Sequence, residues 1–202
     1  MLRKLKIAVT AALGLVAACV TAEEEDKYAE VRAQLQSCVA CHGEAGANPI
    51  LPEYPILAGQ HMYYLYLQLK DIKAKRRDNA IMYPIANALE KDQMKLIATY
   101  FSEQEWPGNE LTLTNAEINA AREVITAGQC VQCHRGNFHG DSGIPRTAGQ
   151  KEAYLAKTLL DFKHGRRLNN AAKSSLMKTF SDEQLQAVAK YFAALPEGED
   201  TE

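Results

Sequence analysis

The sequence predicts an all-α protein made of two tandem helical domains, and two observations support this prediction. The first is an internal repeat, because residues 57–79 match residues 147–169 at an offset of 90, and residues 96–101 match residues 187–192 at an offset of 91. Landmarks that recur in one order at nearly constant spacing indicate a repeated structural unit. The second is that apolar side chains are spaced as on helices, while no segment alternates convincingly as a strand does.

The predicted domains each contain three main helices in the same order. One helix leads into a cysteine motif, a second follows a Gly/Pro-containing loop, and a third closes the unit. The segments "TNAE", from Thr114, and "SDEQ", from Ser181, are capping boxes that predict the start of a helix. The predicted helices cover residues 27–36, 60–75 and 91–102 in the first unit and residues 116–127, 150–164 and 182–194 in the second. The predicted organisation is a first domain at 23–104, a linker at 105–115 and a second domain at 116–202.

The first 22 residues differ from the rest and predict an exported protein. The basic start "MLRKLK" is followed by the apolar run "IAVTAALGLVAACV" and by "TAEEEDK". This order is typical of a secretory signal peptide, here residues 1–22. Cleavage before Glu23 and a lipoprotein-type cleavage that leaves Cys19 as a lipidated N-terminus both fit the sequence. We therefore expect a periplasmic protein that is soluble or tethered to the membrane through Cys19.

The charge of the mature chain argues against nucleic acid as a partner. The formal net charge is −2 at pH 7, and removal of Arg3, Lys4 and Lys6 with the signal peptide would change it to −5. An acidic exported chain is a poor binder of nucleic acid, so no such partner is expected.

The cysteines of the mature chain form two C-x-x-C-H motifs, "CVACH" and "CVQCH". A zinc site would need four ligands brought together, and it would not require a histidine directly after each cysteine pair. A thioredoxin-like redox pair would need a βαβ setting, which this sequence lacks. Covalent haem accounts for every residue, because two thiols add to the two vinyl groups of one haem and the next histidine lies under the iron.

The sequence therefore predicts two covalently bound haem c groups. The first haem is attached to Cys38 and Cys41 with His42 on its iron, and the second to Cys130 and Cys133 with His134 on its iron. A haem also enlarges the modest core of a small helical domain. The side chains expected to pack against the haems, or else against neighbouring helices, are Leu57, Leu65, Leu69, Tyr100 and Phe101 in the first unit and Leu155, Leu159, Tyr191 and Phe192 in the second.

The ligand on the other side of each iron decides whether the site carries electrons or binds a substrate. In the first unit the candidate is Met82, which lies in a loop after "KRRDN". A thioether ligand stabilises ferrous iron and raises the reduction potential. Met62 and Met94 fall on predicted helices and are interpreted as core residues.

The second unit contains two candidates for this ligand. Alignment of the last helices pairs Leu89 with Phe180 and places Lys173 at the position of Met82. Met177 is the only methionine of this unit, and a free lysine resists losing its proton. We therefore favour Met177 and keep Lys173 as the alternative.

Two histidines and two basic runs are interpreted as exposed. His139 and His164 have no counterparts in the first unit and are interpreted as loop histidines. The basic runs at residues 70–77 and 163–167 are interpreted as solvated helix ends, with haem propionates or a redox partner as the alternative contacts.

These segments together resemble the dihaem cytochrome c4 family over nearly all of the mature chain. The resemblance rests on "CVACHGEAG", "YPILAGQHMYYLYLQLKDIKAKRRDN", "CVQCHRG", "TAGQKEAYLAKTLLDFKHGRRLN" and "FSDEQLQAVAKYF". It implies two class I cytochrome c domains related by a pseudo-two-fold axis, with haems that face each other and His/Met ligation. His42, Met82 and His134 fit this pattern, whereas the family's fourth ligand position falls on Lys173.

The resemblance also implies a function. Members of the family carry electrons in the bacterial periplasm, often to terminal oxidases, so we expect one electron per haem to pass between redox partners such as cytochrome complexes, a terminal oxidase or a periplasmic dehydrogenase. Similar chains serve as haem subunits of sulfur-oxidising enzymes such as flavocytochrome c or thiosulfate dehydrogenase, and this role is the alternative. A haem enzyme would need a labile ligand on the second haem, and no catalytic residue is assigned.

Overall fold

The computed structural model describes residues 26–109 and 111–196, so the predicted signal peptide and Cys19 lie outside the described residues. Within these ranges the chain forms nine α-helices, two short 3-10 helices at Ala29–Val31 and Glu44–Gly46, and no β-sheet. The α-helices are α1 Arg32–His42, α2 Met62–Lys73, α3 Met82–Asn87, α4 Lys91–Ser102, α5 Asn115–Ala127, α6 Val131–His134, α7 Glu152–Lys163, α8 Ala171–Met177 and α9 Asp182–Ala193. The predicted all-α class is confirmed. In the part of the chain that the structure describes, no helix has the length and apolar character needed to span a bilayer.

Short sequence signals set the start of several helices. The side chain of Thr114 accepts a hydrogen bond from the backbone N–H of Glu117, and that of Ser181 accepts one from Gln184, so both predicted capping boxes are confirmed. Glu90 begins α4 with a third box, which the usual search for Ser or Thr at the cap does not find. Each box satisfies N–H groups that have no partner in the first turn of a helix.

The two cysteine motifs have different local structures. A helix is predicted over residues 27–36, yet α1 continues through the first motif to His42 and ends at Gly43, whose φ is 80°. In the second half α5 ends before Gly128, Gln129 takes a φ of 50°, and the separate helix α6 carries the end of the motif. The left-handed conformation of Gln129, directly after the C-cap Gly128, ends α5 before the second motif, as a residue of positive φ commonly ends a helix.

Each half of the chain has its own apolar core. In the first half α2 packs against α4, with Phe101 only 1% exposed. In the second half α9 packs against both α5 and α7, with Leu185 only 1% exposed. The packing of α2 on α4 in the first half thus recurs in the second as the packing of α7 on α9.

The two halves meet where the loops after α2 and α7 lie side by side. Arg77 pairs with Arg167 as an isolated antiparallel bridge, flanked by backbone N–H···O bonds of 3.0 and 2.7 Å. Trp106, from the predicted linker, is buried and packs with Ile56 and Ala58. These contacts hold both cysteine motifs against one shared interior.

Candidate haem sites

The first cysteine motif lies on one face of α1. Cys41 and His42 follow Cys38 by three and four residues, so both lie on the helix face of Cys38, and all three line the interior cavity. The Nδ1 atom of His42 lies 2.9 Å from the carbonyl oxygen of Pro55. Burial raises the pKa of the Cys38 thiol to about 11 and lowers the pKa of His42. In the chain without haem, both groups are therefore neutral at pH 7.

The second motif repeats these contacts on a different backbone. The Nδ1 atom of His134 lies 3.2 Å from the carbonyl oxygen of Pro145. Burial, and then the charge of Lys173, lower the pKa of His134 to about 4. Cys130 is half-buried and Cys133 is exposed, and neither forms a disulfide. Both motifs thus present two thiols and a neutral imidazole.

The hydrogen bonds to proline fix which imidazole nitrogen can bind a metal. A carbonyl oxygen only accepts, so Nδ1 must carry the proton in both histidines. Nε2 then keeps its lone pair, which is the form in which a neutral imidazole binds a metal ion. A backbone carbonyl at the other ring nitrogen is a usual way to orient a metal-binding histidine.

Both motifs open into one interior cavity of about 810 Å³ that extends across the two halves. Seven of the predicted haem-packing residues line it, namely Leu57, Leu65, Leu69, Phe101, Leu155, Leu159 and Phe192. An apolar space with two thiols and an imidazole in each half fits covalent haem. The thiols suit covalent attachment, the imidazoles suit ligation of the iron, and the aliphatic walls suit the apolar macrocycle.

Tyr100 and Tyr191 do not line the cavity, so their prediction as haem contacts is corrected to the alternative of helix core. The Tyr100 ring packs edge-on against Tyr28, with ring centroids 5.1 Å apart. Successive residues on a helix point about 100° apart. Phe101 and Phe192, which directly follow these tyrosines in the chain, therefore face the cavity instead.

Met82 begins α3, so its predicted place in a loop is wrong, but it lines the cavity together with the first motif. The side chain of Asn79 accepts a hydrogen bond from the backbone N–H of Met82 at 3.0 Å. This contact fixes the start of α3 and the place from which the thioether side chain leaves the backbone. Met82 is half-buried, as suits a side chain at the edge of an internal site.

Lys173 has the same local setting in the second half. The side chain of Asn170 accepts from the backbone N–H of Lys173 at 2.9 Å, three residues on, as Asn79 does for Met82. Lys173 lines the cavity, and burial together with the charge of Arg167 lowers its pKa to about 8. The position of Met82 is thus occupied by an amine that loses its proton more readily than an exposed lysine.

Met177 lies one helical turn beyond Lys173 at the end of α8. It is 5% exposed, belongs to the second apolar core and also lines the cavity. By the offset of 91 that relates Met82 to Lys173, its counterpart is Ala86, a buried residue of α3. Both candidates for the second iron therefore reach the same space from one face of α8.

Other predicted roles are partly corrected. Met94 is buried in the first core as expected, but Met62 is 41% exposed because it begins α2 at the surface. His164 is exposed, whereas His139 is half-buried and its carbonyl oxygen accepts from His61 Nε2 at 2.7 Å. Neither His139 nor His164 lines the cavity.

The basic runs are not merely solvated helix ends. Arg167 is 4% exposed, and its guanidinium donates to Gln68 Oε1 at 2.6 Å. Arg77 donates to Tyr154 Oη at 3.0 Å across the junction of the two halves. The repeat was the sequence feature that pointed to these residues, because Tyr64 and Tyr154, like Arg77 and Arg167, are 90 residues apart.

The geometry of the described residues does not favour a zinc site. Among residues 26–109 and 111–196, no group of three or more His, Cys, Asp or Glu side chains is placed to hold a metal ion. Each C-x-x-C-H motif instead lies in its own half of the cavity. Two such motifs on helical domains around one apolar interior define a dihaem c-type cytochrome.

Comparison with known proteins identifies the family. A model described as cytochrome c matches residues 118–196. The chain is 31% identical over 179 residues to cytochrome c4 of Stutzerimonas stutzeri, covering 78% of this chain and 84% of the relative. It is 31% identical over 182 residues to the thiosulfate dehydrogenase electron acceptor of Thiomonas intermedia, covering 84% of this chain and 83% of that relative. Its fold is similar to that of reduced recombinant cytochrome c4 from Pseudomonas stutzeri, with a TM-score of 0.72, 28% identity, and coverage of 84% of this chain and 97% of that structure.

The chain belongs to the dihaem cytochrome c4 family. It carries two covalently bound haem c groups and transfers electrons. The family that the sequence motifs resemble is thereby confirmed.

Proposed function

We propose that the chain carries electrons in the periplasm with each haem iron held between two protein ligands. One observation carries this proposal: each motif histidine has its Nδ1 atom fixed by a proline carbonyl and shares the cavity with a candidate for the opposite ligand. The proposed attachment residues are Cys38, Cys41, Cys130 and Cys133. The proposed axial ligands are His42 and Met82 for the first iron and His134 and Met177 for the second, with Lys173 as the alternative to Met177.

The cellular setting is part of this proposal. Residues 1–22 have the pattern of a signal peptide, and covalent haem is attached on the exported side of the membrane. A first domain at 23–104 and a second at 116–202 would then form the mature chain, as products of a duplication. Cys19 would supply a lipid tether if cleavage occurs before it. The proposed partners are cytochrome complexes, a terminal oxidase or a periplasmic dehydrogenase.

The residues of this chain set how each site exchanges an electron. Haem supplies one-electron Fe(II)/Fe(III) chemistry. The proline carbonyls orient His42 and His134 and keep their Nε2 atoms unprotonated. The apolar walls exclude water, which disfavours the more highly charged ferric state. A thioether from Met82, and from Met177 where it rather than Lys173 binds the second iron, would favour the ferrous state further.

Proton NMR of the fully reduced protein tests the proposed ligands, because a methionine bound to ferrous haem has its methyl signal shifted far upfield. We expect two such methyl signals in the wild type. Met82→Ala should remove one and Met177→Ala the other, while Lys173→Ala should remove neither. A single upfield methyl signal that persists in Met177→Ala would exclude Met177 and make Lys173 the ligand to test.

A second candidate function has a specific observation in its favour. The named relatives include an electron acceptor of thiosulfate dehydrogenase, whose similarity extends over both halves of this chain. The chain would then accept electrons from a sulfur-oxidising enzyme instead of from a respiratory complex. The haem sites of the chain would be the same in both roles. Only the electron donor would differ. A catalytic second haem is a further alternative, and it depends on a labile ligand at Lys173 or Met177.

A further inference from the structure

Two buried glutamines reach across the junction of the two halves. Gln60 and Gln150 are 3% and 2% exposed and end the "AGQ" segments that recur at an offset of 90. The side-chain amide of Gln150 makes two hydrogen bonds with the backbone of Ile56, with its Oε1 accepting from N at 2.8 Å and its Nε2 donating to O at 3.0 Å. Gln60 pairs in the same way with Arg146, at 2.9 and 3.0 Å. Each half therefore makes a pair of hydrogen bonds, through a buried glutamine, to one backbone residue of the other half.

These backbone residues directly follow the prolines that orient the motif histidines. The N–H of Ile56 belongs to the same planar peptide unit as the carbonyl of Pro55, which accepts from His42. The hydrogen bonds thus run from Gln150 Oε1 through the Pro55–Ile56 peptide to His42 Nδ1. On the other side, Gln60 contacts the peptide whose carbonyl accepts from His134.

The glutamines are themselves held rigidly. Gln150 Oε1 also accepts from the backbone N–H of Lys151 at 2.9 Å, and Gln60 Oε1 accepts from that of His61 at 3.1 Å. Two N–H donors on one oxygen settle which end of each amide is the carbonyl.

The preceding glycines anchor the same loops. The N–H groups of Gly59 and Gly149 donate to the carbonyls of Phe101 and Phe192, on the last helix of each half, at 2.8 and 2.9 Å. Both glycines have positive φ values, 64° and 69°. A Cβ atom on Gly59 would lie 2.8 Å from Trp106, which leaves no room for a side chain there. The position of each glutamine is therefore set by the fold of its own half.

We propose that Gln150 and Gln60 are positioning residues that act in trans, each controlling the axial histidine of the haem in the other half. The proposal rests on the axial roles of His42 and His134 given above. A hydrogen bond to a peptide N–H polarises the carbonyl of the same peptide, and hydrogen bonds in such chains strengthen one another. The stronger acceptor at Nδ1 makes the imidazole a better electron donor, which stabilises ferric iron and lowers the potential. Reduction of one haem thereby depends on a residue of the other domain.

The variants Gln150→Leu and Gln60→Leu test this proposal, because leucine fills similar space without hydrogen bonds. In Gln150→Leu we expect a higher reduction potential for the haem on Cys38 and Cys41, and an altered His42 Hδ1 chemical shift. The Ile56 amide should exchange its hydrogen roughly tenfold faster, as expected for loss of a buried hydrogen bond. Gln60→Leu should change the other haem, His134 and the Arg146 amide instead.

The crossed pattern separates positioning from a merely structural role. Each variant is the matched control for the other, since Gln150→Leu should leave the haem on Cys130 and Cys133 unchanged and Gln60→Leu the haem on Cys38 and Cys41. Loss of the first haem alone in Gln150→Leu would also support control in trans. Equal shifts at both haems in both variants, equal loss of both haems, or no shift at either would overturn the proposal. If the wild type lacks Hδ1 signals from iron-bound His42 and His134, the proposed ligands fail, and the trans inference fails with them.

Discussion

Replacement of Cys130 and Cys133 by alanine together is expected to reduce the covalently bound haem from two groups to one per chain. These are the two thiols of the second motif, and without them no thioether bond can retain a haem in this half. The second apolar core is expected to lose stability as well, because Leu155, Leu159 and Phe192 would line a space open to water. The haem-to-protein ratio after denaturation in pyridine and alkali measures the effect.

Two controls accompany this experiment. Cys38→Ala with Cys41→Ala should leave the other haem, again one per chain, and the two double variants should differ in NMR spectrum. Cys19→Ala should leave both haems in place, since that cysteine lies outside the motifs. Two haems in either double variant would contradict the assignment of the attachment residues.

Replacement of Met82 by alanine is expected to lower the potential of the first haem and to open its iron to added ligands. The thioether stabilises ferrous iron, so its loss favours the ferric state. The side chain also lines the cavity at the edge of α3, so its removal leaves a path to the metal. Redox titration followed by absorbance measures the potential, and carbon monoxide added to the reduced variant should bind at one site per chain.

Met94→Leu is the matched control for Met82→Ala. Met94 lies 2% exposed in the first core and does not line the cavity. A volume-conserving change there should cost less than about 1.5 kcal/mol and leave both potentials unchanged. If Met82→Ala behaves like Met94→Leu, then Met82 is not an iron ligand.

Features that depend on neighbouring residues could be predicted from the sequence. The capping boxes at Thr114 and Ser181 involve residues three apart, and both are present. The all-α class followed from the repeat and from helical spacing. The predicted helix ended at residue 36, six residues early, although the chain carries no stop signal before Gly43.

Features that depend on distant residues could not be predicted. The "AGQ" repeat was visible, but Gln150 contacts Ile56, 94 positions earlier in the chain, and no local pattern reveals such a pair. Arg167 belongs to a basic run that usually would be solvated, and only the docking of the two halves buries it. Likewise, the asparagine contacts that match Lys173 to Met82 become visible only once the loops are folded.

We propose that both haem irons are closed by two protein ligands and serve only to carry electrons. Exposure of the fully reduced wild-type protein to carbon monoxide tests it most directly, followed by absorbance in the Soret region. We expect an unchanged spectrum at both haems, because Met82 and the ligand from α8 would hold the sixth positions. Formation of a carbon monoxide adduct at one haem per chain would contradict it and would indicate a labile, substrate-accessible site.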